Sequence, residues 1–120
     1  MEEIYIVTGN TADTEKYWYK IYSDIRNFGY KAYCVNPKID EVDGVSIYPD
    51  FQSLPEKGTV LILVARPDVA AQFVEQALAA GGYKEIWFQP GSYDETAAAK
   101  AQNAGIEVHD DCFMLAHGIW

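Results

Sequence analysis

Three side chains able to ligate a metal or act as nucleophile or base, His109, Cys112 and His117, fall within nine residues, flanked by Asp110 and Asp111. A thiol with an imidazole in reach can attack an acyl carbon while the ring takes its proton, and a nearby helix N-terminus favours the thiolate. The spacing matches no standard zinc pattern, in which four ligands stand at characteristic separations, so no metal is expected. The competing reading is packing. Cys112 and Met114 then fill space at the end of a sheet, His117 caps a short turn, and no residue is assigned to catalysis.

A second set of residues points to a phosphorylated ligand. Gly9-Asn10-Thr11 follows an apolar run and leads into a helical pattern, and Thr11, Asp13 and Thr14 each offer an oxygen to the first N–H groups of that helix. A helix N-terminus attracts anions. The dinucleotide fingerprint needs three glycines, and only Gly9 is present. An NAD site also carries an acid after its second strand, whereas the corresponding turn here reads Asn36-Pro37-Lys38. Lys38 therefore suits a phosphorylated ribose, or it is a solvated lysine beside a turn.

Those residues share a position that the elements must create. Apolar runs at Ile4–Thr8, Ala32–Val35, Val60–Ala65, Ile86–Phe88 and Ile106–Val108 each end in polar, Gly or Pro punctuation, and helical patterns follow several of them. Parallel strands joined through helices bring all such loops to one sheet edge, where open α/β sheets bind ligands. The spacing predicts a first helix over Thr14–Phe28, with Trp18, Ile21, Tyr22, Ile25 and Phe28 on one face and Gly29 as its cap. Pro67 opens a second helix whose buried stripe is Val69, Ala70, Phe73, Val74, Ala77 and Leu78, stopped by Gly81-Gly82. Ser92-Tyr93-Asp94-Glu95 reads as a capping box for a third, closed by Gly105. A short strand at Val45–Tyr48 completes a doubly wound, mainly parallel α/β sheet of order 3-2-1-4-5-6. The Gly9–Thr11 and Arg66-Pro67 loops then flank its crevice.

Composition narrows the partners. At 120 residues one domain, 1–120, is expected, too short for a nucleotide domain plus a substrate domain. A formal charge of −9, with nine scattered Lys and Arg, argues against nucleic acid. The longest apolar run, Val60–Ala65, is far below membrane-spanning length, and Glu2-Glu3 lead straight into a strand without a basic, hydrophobic leader. A cytoplasmic protein with Cys34 and Cys112 reduced is expected. Tyr17, Trp18, Tyr19 and Tyr22 place aromatics around the whole first helix, so some must be exposed, and a homodimer or a protein partner on that helix is expected.

Taken together, Gly9-Asn10-Thr11, Gly29-Tyr30-Lys31, Val35-Asn36-Pro37-Lys38, Gly44 with Tyr48-Pro49, Leu54-Pro55, Trp87 with Gln89-Pro90-Gly91, Ala104-Gly105-Ile106, and Asp110 with Cys112, Met114 and His117 resemble the small single-domain CoA-binding proteins. These are relatives of the CoA-binding domain of succinyl-CoA synthetase. The resemblance spans nearly the whole chain and implies a Rossmann-like fold with CoA or an acyl-CoA as bound ligand. It would put the pyrophosphate against Gly9, Asn10, Thr11 and the first helix, where Lys16 stands for the family's arginine. The adenosine would lie beside Asn36, Pro37 and Lys38, with Arg66 and Pro67 closing over it and Gln89, Pro90, Gly91 and Cys112 completing the edge. The family's Asp-Arg-Cys reads Asp110-Asp111-Cys112, and Arg66 stands where the family is usually apolar. The two changes compensate at the ligand or pair with each other.

Three functions are open on this reading. The first is binding of CoA or acyl-CoA through its nucleotide end, without catalysis. The second is a protein-interaction module on the same fold with altered or lost nucleotide binding. The third is an acyl-group enzyme using Cys112 and His117.

Overall fold

The computed structural model describes residues 2–13 and 17–120. Its elements in chain order are β1 (Tyr5–Thr8), α1 (Tyr17–Asn27), β2 (Ala32–Val35), β3 (Glu41–Val42), β4 (Val45–Ser46), β5 (Val60–Leu63), α2 (Pro67–Ala80), β6 (Glu85–Phe88), α3 (Glu95–Asn103), β7 (Glu107–Asp110) and α4 (Phe113–Ala116). Five strands form one parallel sheet in the order β2-β1-β5-β6-β7. This is the doubly wound α/β arrangement, with the order reversing between β1 and β5.

Alternation along the strands divides the core in two. Ile6, Leu61, Leu63, Ile86 and Phe88 point to the side covered by α2 and α3, where Phe73, Val74, Ala77 and Ala101 meet them. Tyr5, Val7, Val60, Ile62 and Trp87 point to the side covered by α1 and α4, against Trp18, Ile21, Ile25, Phe113 and Met114. β5 lies at the centre and is buried along its whole length, as its unbroken apolar run demands of a strand covered on both faces.

The expected third strand takes a different form. Val45 and Ser46 pair antiparallel with Glu41 and Val42 across Asp43-Gly44, and both turn residues have positive φ, 51° and 81°. That is the backbone a two-residue hairpin with right-handed twist requires, and Asp-Gly is its sequence signal. The edge position beside β2 is filled by Tyr48 alone, through one parallel bridge to Val35. Tyr48 N–H donates to Cys34 and its carbonyl accepts from Asn36 N–H.

Two helix ends also differ from expectation. Trp18, Ile21, Tyr22 and Ile25 are the buried face of α1, but Phe28 lies past its last turn and is exposed, because Gly29 reverses the chain there. Thr14 and Lys16, which the sequence places in the first turn of that helix, lie outside the described residues. α3 is capped by Asp94, whose carboxylate accepts from Ala97 N–H; Ser92 has another task, described below. Among the described residues no helix is long and apolar enough to cross a membrane.

Candidate functional site

The register of the sheet makes a row. Val35, Thr8, Leu63, Phe88 and Asp110 are paired in succession from β2 to β7, so all five strands end level. The residues that follow, Asn36, Gly9, Val64, Gln89 and Asp111, therefore emerge side by side along one carboxyl edge.

Four polar side chains stitch these loops together. Among the described residues the buried, non-aromatic polar side chains are Thr8, Asn36, Gln89 and Ser92, and all four stand at this edge. The Asn36 amide donates to Thr11 C=O at 2.8 Å while its oxygen accepts from Lys38 N–H at 2.9 Å, joining the loops after β2 and β1. Thr8 Oγ1 donates to Ile62 C=O and accepts from Val64 N–H, joining β1 to β5 at the point where strand order reverses. Ser92 Oγ accepts from Ala65 N–H at 3.1 Å, which ties the β5 loop to the loop after β6. Gln89 donates to Cys112 Sγ at 3.4 Å and accepts from Phe113 N–H at 2.7 Å, which ties that loop to the start of α4. A buried polar group is costly unless bonded, and here each bond holds a loop in place.

Gly9 has a steric role. A Cβ built on it would lie 2.5 Å from Trp18 Cγ, so the loop after β1 crosses directly over the indole. Trp18 is itself pinned, its Nε1–H donating to Asp13 C=O at 3.1 Å. Sequence reasoning places Gly9 against a ligand; the contact visible in the structure is with Trp18.

Two cavities open on the edge. One, of about 390 Å³, is lined by Asn36, Pro37, Lys38, Ile39, Asp40 and Pro49. The other, of about 490 Å³, lies over the ends of β5 and β6, with Thr11, Arg66, Gln89, Pro90, Gly91 and Cys112 on its walls beside apolar residues of α1 and α4. The structure thus divides Thr11, Asn36, Pro37, Lys38, Arg66, Gln89, Pro90, Gly91 and Cys112 between two cavities, while Gly9 and Asn10 are on the wall of neither. Pro67 is the first residue of α2, and Lys16 falls outside the described residues.

Of the two arrangements open for the charged residues at the edge, the structure answers one. Arg66 Nε donates to Asp68 at 2.8 Å, so the alternative in which it pairs with Asp111 is not realised; Asp68, two residues on in the first turn of α2, takes it instead. Asp111 accepts instead from Cys112 N–H at 2.8 Å. Cys112 and His117 form no hydrogen bond to each other. Cys112 is buried with Gln89, and the His117 ring stacks on Phe113 at 4.0 Å and packs edge-on to Trp87. His109 also turns away from Cys112, stacking on Trp87 at 3.9 Å with Nε2 2.8 Å from Glu107 and 3.4 Å from Glu85. Among the described residues the metal-capable side chains that converge are Glu85, Glu107 and His109, and the sequence trio of His109, Cys112 and His117 is not assembled. Cys34 is fully buried in β2, and burial pushes its thiol far above the ordinary value.

Sequence reasoning missed three contributors. Thr8 and Ser92 carry no sign of their bonds in a linear chain, and Trp120 becomes interpretable only when α1 is beside it. Its indole N–H donates to Asp24 at 2.7 Å, with Lys20 over the ring at 5.0 Å and Tyr17 at 6.3 Å. Tyr17 is 66% exposed, whereas Trp18 and Tyr22 are buried and Tyr19 is half-buried, so one helix absorbs most of the aromatic cluster.

A parallel sheet whose carboxyl-edge loops are held by buried side chains beside two cavities is an open, doubly wound α/β domain of Rossmann-like fold. Residues 3–118 match the family described as CoA binding domain. The chain belongs to that family. It is 24% identical over 115 residues to acetate–CoA ligase [ADP-forming] I of Archaeoglobus fulgidus, covering 88% of this chain and 17% of the ligase, so it spans about a sixth of that relative. A hypothetical protein from Pyrococcus horikoshii OT3 superposes with a TM-score of 0.85 at 32% identity, over 98% of this chain and 82% of its own. A conserved hypothetical protein from Pyrococcus furiosus superposes with a TM-score of 0.82 at 31% identity, over 97% of this chain and 99% of its own.

Proposed function

We propose that this chain binds CoA or an acyl-CoA through its nucleotide end at the carboxyl edge of the sheet and does not itself catalyse a reaction. The observation that carries the reading is the pair of cavities at that edge, on a domain of the CoA-binding family. In this reading the adenosine lies by Pro37 and Lys38 and the pyrophosphate at Gly9, Asn10 and Thr11. The thiol arm runs past Arg66 and Pro67 toward Pro90, Gly91 and Cys112. Asn36 and Gln89 act on the ligand indirectly, since both ends of each amide are engaged within the protein.

Thermal denaturation with CoA, dephospho-CoA, NADP and NAD in parallel tests it. A ligand at a hundred times its Kd adds about 2.7 kcal/mol to stability, which a melting curve resolves readily. CoA is expected to raise Tm most, and Lys38→Glu to weaken CoA while leaving dephospho-CoA nearly unchanged. No shift with either CoA form overturns the assignment.

A second reading rests on the exposed Tyr17, Leu115 and Trp120, which stand together at the rim of the larger cavity. They would be a contact surface for a second copy or another protein. Light scattering that gives a monomer at every concentration removes the homodimer form of this reading.

A further inference from the structure

We infer that Glu85, Glu107 and His109 form a binding site for a divalent transition-metal ion of the Zn²⁺ type, which ties the edge strand β7 to β6. The inference does not depend on what the carboxyl edge binds, because none of the three residues lies on the wall of either edge cavity.

The register assembles the site. Glu85 pairs with Glu107 and Trp87 with His109 across β6 and β7, and residues two apart on a strand share a face. The four side chains therefore form a square on the sheet face that carries Trp87. Two carboxylates set directly opposite repel one another unless a cation stands between them. Lys84, next in sequence to Glu85, is committed to Glu3, and among the described residues the ion-pair partner of both Glu85 and Glu107 is His109.

Geometry distinguishes a metal from a proton at this point. His109 Nε2 lies 2.8 Å from Glu107 Oε2 and 3.4 Å from Glu85 Oε1. A ring N–H can aim at one of these oxygens only, whereas a metal ion bonds to all three atoms. Bonds of about 2.0–2.1 Å meeting at about 90–110° set their donor atoms about 2.9–3.4 Å apart, close to the spacing of Nε2 from the two oxygens. The three ligand atoms all lie within 4.8 Å of one another.

The ligands are also held from behind. The His109 ring stacks on Trp87 with centroids 3.9 Å apart and planes 15° from parallel, and the same indole donates from Nε1 to Glu85 Oε1 at 3.1 Å. Trp87 thus orients two of the three ligands, as outer-shell partners do at metal sites. The side chains of His109 and Glu85 are 29% exposed and that of Glu107 66%, so an ion reaches the site from solvent and keeps water on its remaining positions.

The donor set selects the metal. One imidazole and two carboxylates suit Zn²⁺ and its first-row neighbours, whereas Ca²⁺ takes about six to eight oxygens and Mg²⁺ holds to oxygens and water. The formal charge of −9 draws any divalent cation toward the protein. A built site differs from that general attraction in losing its ion when one ligand is removed.

Calorimetric titration of the untagged protein with Zn²⁺ and with Mg²⁺ tests the inference, alongside NMR observation of the two histidine rings of the chain. One Zn²⁺ is expected to bind per chain, and Mg²⁺ at the same concentration should not displace it. Glu107→Gln, at an exposed side chain, and His109→Gln should each weaken Zn²⁺ binding at least about tenfold, a loss that even an outer-shell partner causes at metal sites. On the unaltered protein the His109 ring signals should move as Zn²⁺ is added while those of His117 stay. Absence of Zn²⁺ binding, affinity unchanged in either variant, displacement by Mg²⁺ at the same concentration, or a His109 ring indifferent to Zn²⁺ would each overturn the site and leave a surface ion pair on an acidic protein. Because the NMR titration uses the unaltered chain, it decides the matter even if a variant does not fold.

Discussion

Gly9 shows how a residue typical of a ligand loop can be required by the protein itself. Its backbone passes over Trp18 so closely that any Cβ overlaps the ring, and Gly9 N–H is committed to Val35 C=O at 2.9 Å. Gly9→Ala is therefore expected to cost about 1–3 kcal/mol of stability, the usual penalty for overpacking. Denaturant unfolding will measure it. Trp18→Leu is destabilising alone, yet in the Gly9→Ala background part of the cost should disappear, giving a coupling energy in the double-mutant cycle. Strict additivity would show that the loop relaxes away from the indole. Gly9 was legible in the sequence as a tight position, but its neighbour was not, because Trp18 is nine residues on and reaches it only when α1 folds back along the sheet.

At the scale of elements, Trp120 and α1 form a pair that pH can separate. The hydrogen bond from Trp120 is the main reason Asp24 is held below the ordinary aspartate range, with Lys20 contributing in the same direction. A carboxylate whose folded pKa is depressed contributes stability that is fully present above the unfolded value and is lost as pH falls through the folded one. The tether should thus be intact at neutral pH and release only below about pH 4. Indole NH resonances followed downward from pH 5 should show the Trp120 signal moving to a solvent-exposed position, and Asp24→Ala should place it there at every pH. A Trp120 signal indifferent to both would show that ring packing alone holds the indole. Elements also account for the misread helix start. Ser92 and Asp94 both precede the same helix and both look like caps; the structure gives the helix to Asp94 and uses Ser92 to hold the β5 loop. Only the packing of β5 beside β6 brings Ala65 N–H to Ser92.

The whole molecule has two cores on one sheet, and tyrosines close both. Tyr5 is pushed up to about 12, chiefly by burial and then by Tyr30 beside it; burial raises Tyr22 and Tyr83 in the same direction. The unfolded chain loses these phenolic protons near pH 10, while the folded chain keeps them. Stability is therefore expected to start declining above about pH 8.5, where the unfolded Cys34 thiol ionises and the buried one does not, and to fall further between about pH 10 and 12, with Tyr5 alone accounting for about 2 kcal/mol by the end of that range. Denaturant midpoints at pH 8, 10 and 11, with phenolate absorbance recorded alongside, will test this. Full ionisation of all tyrosines near pH 10 in a still-folded protein would contradict the burial seen for Tyr5 and Tyr83.

The alternation of apolar runs and punctuation determined, from sequence alone, that the chain is α/β, that its central strand lies within Val60–Val64, and that the loops share one edge. Local physics is sufficient for that, because strand period, helix period and Gly or Pro breaks act within a few residues. The motif residues also carried the family. Three things were decided only by tertiary structure. The predicted edge strand became a hairpin and a single bridge at Tyr48, because Asp43-Gly44 turns the chain before it can run beside β2. The metal-capable trio separated, because Trp87 and Phe113 each draw a histidine ring onto an aromatic face. And Asn36 and Gln89, legible as edge residues, proved to be the braces of their loops, together with Thr8 and Ser92. A hydrogen bond between residues tens of positions apart has no local signature; it exists because the register brings five strand ends level and leaves their polar side chains no water to bond with.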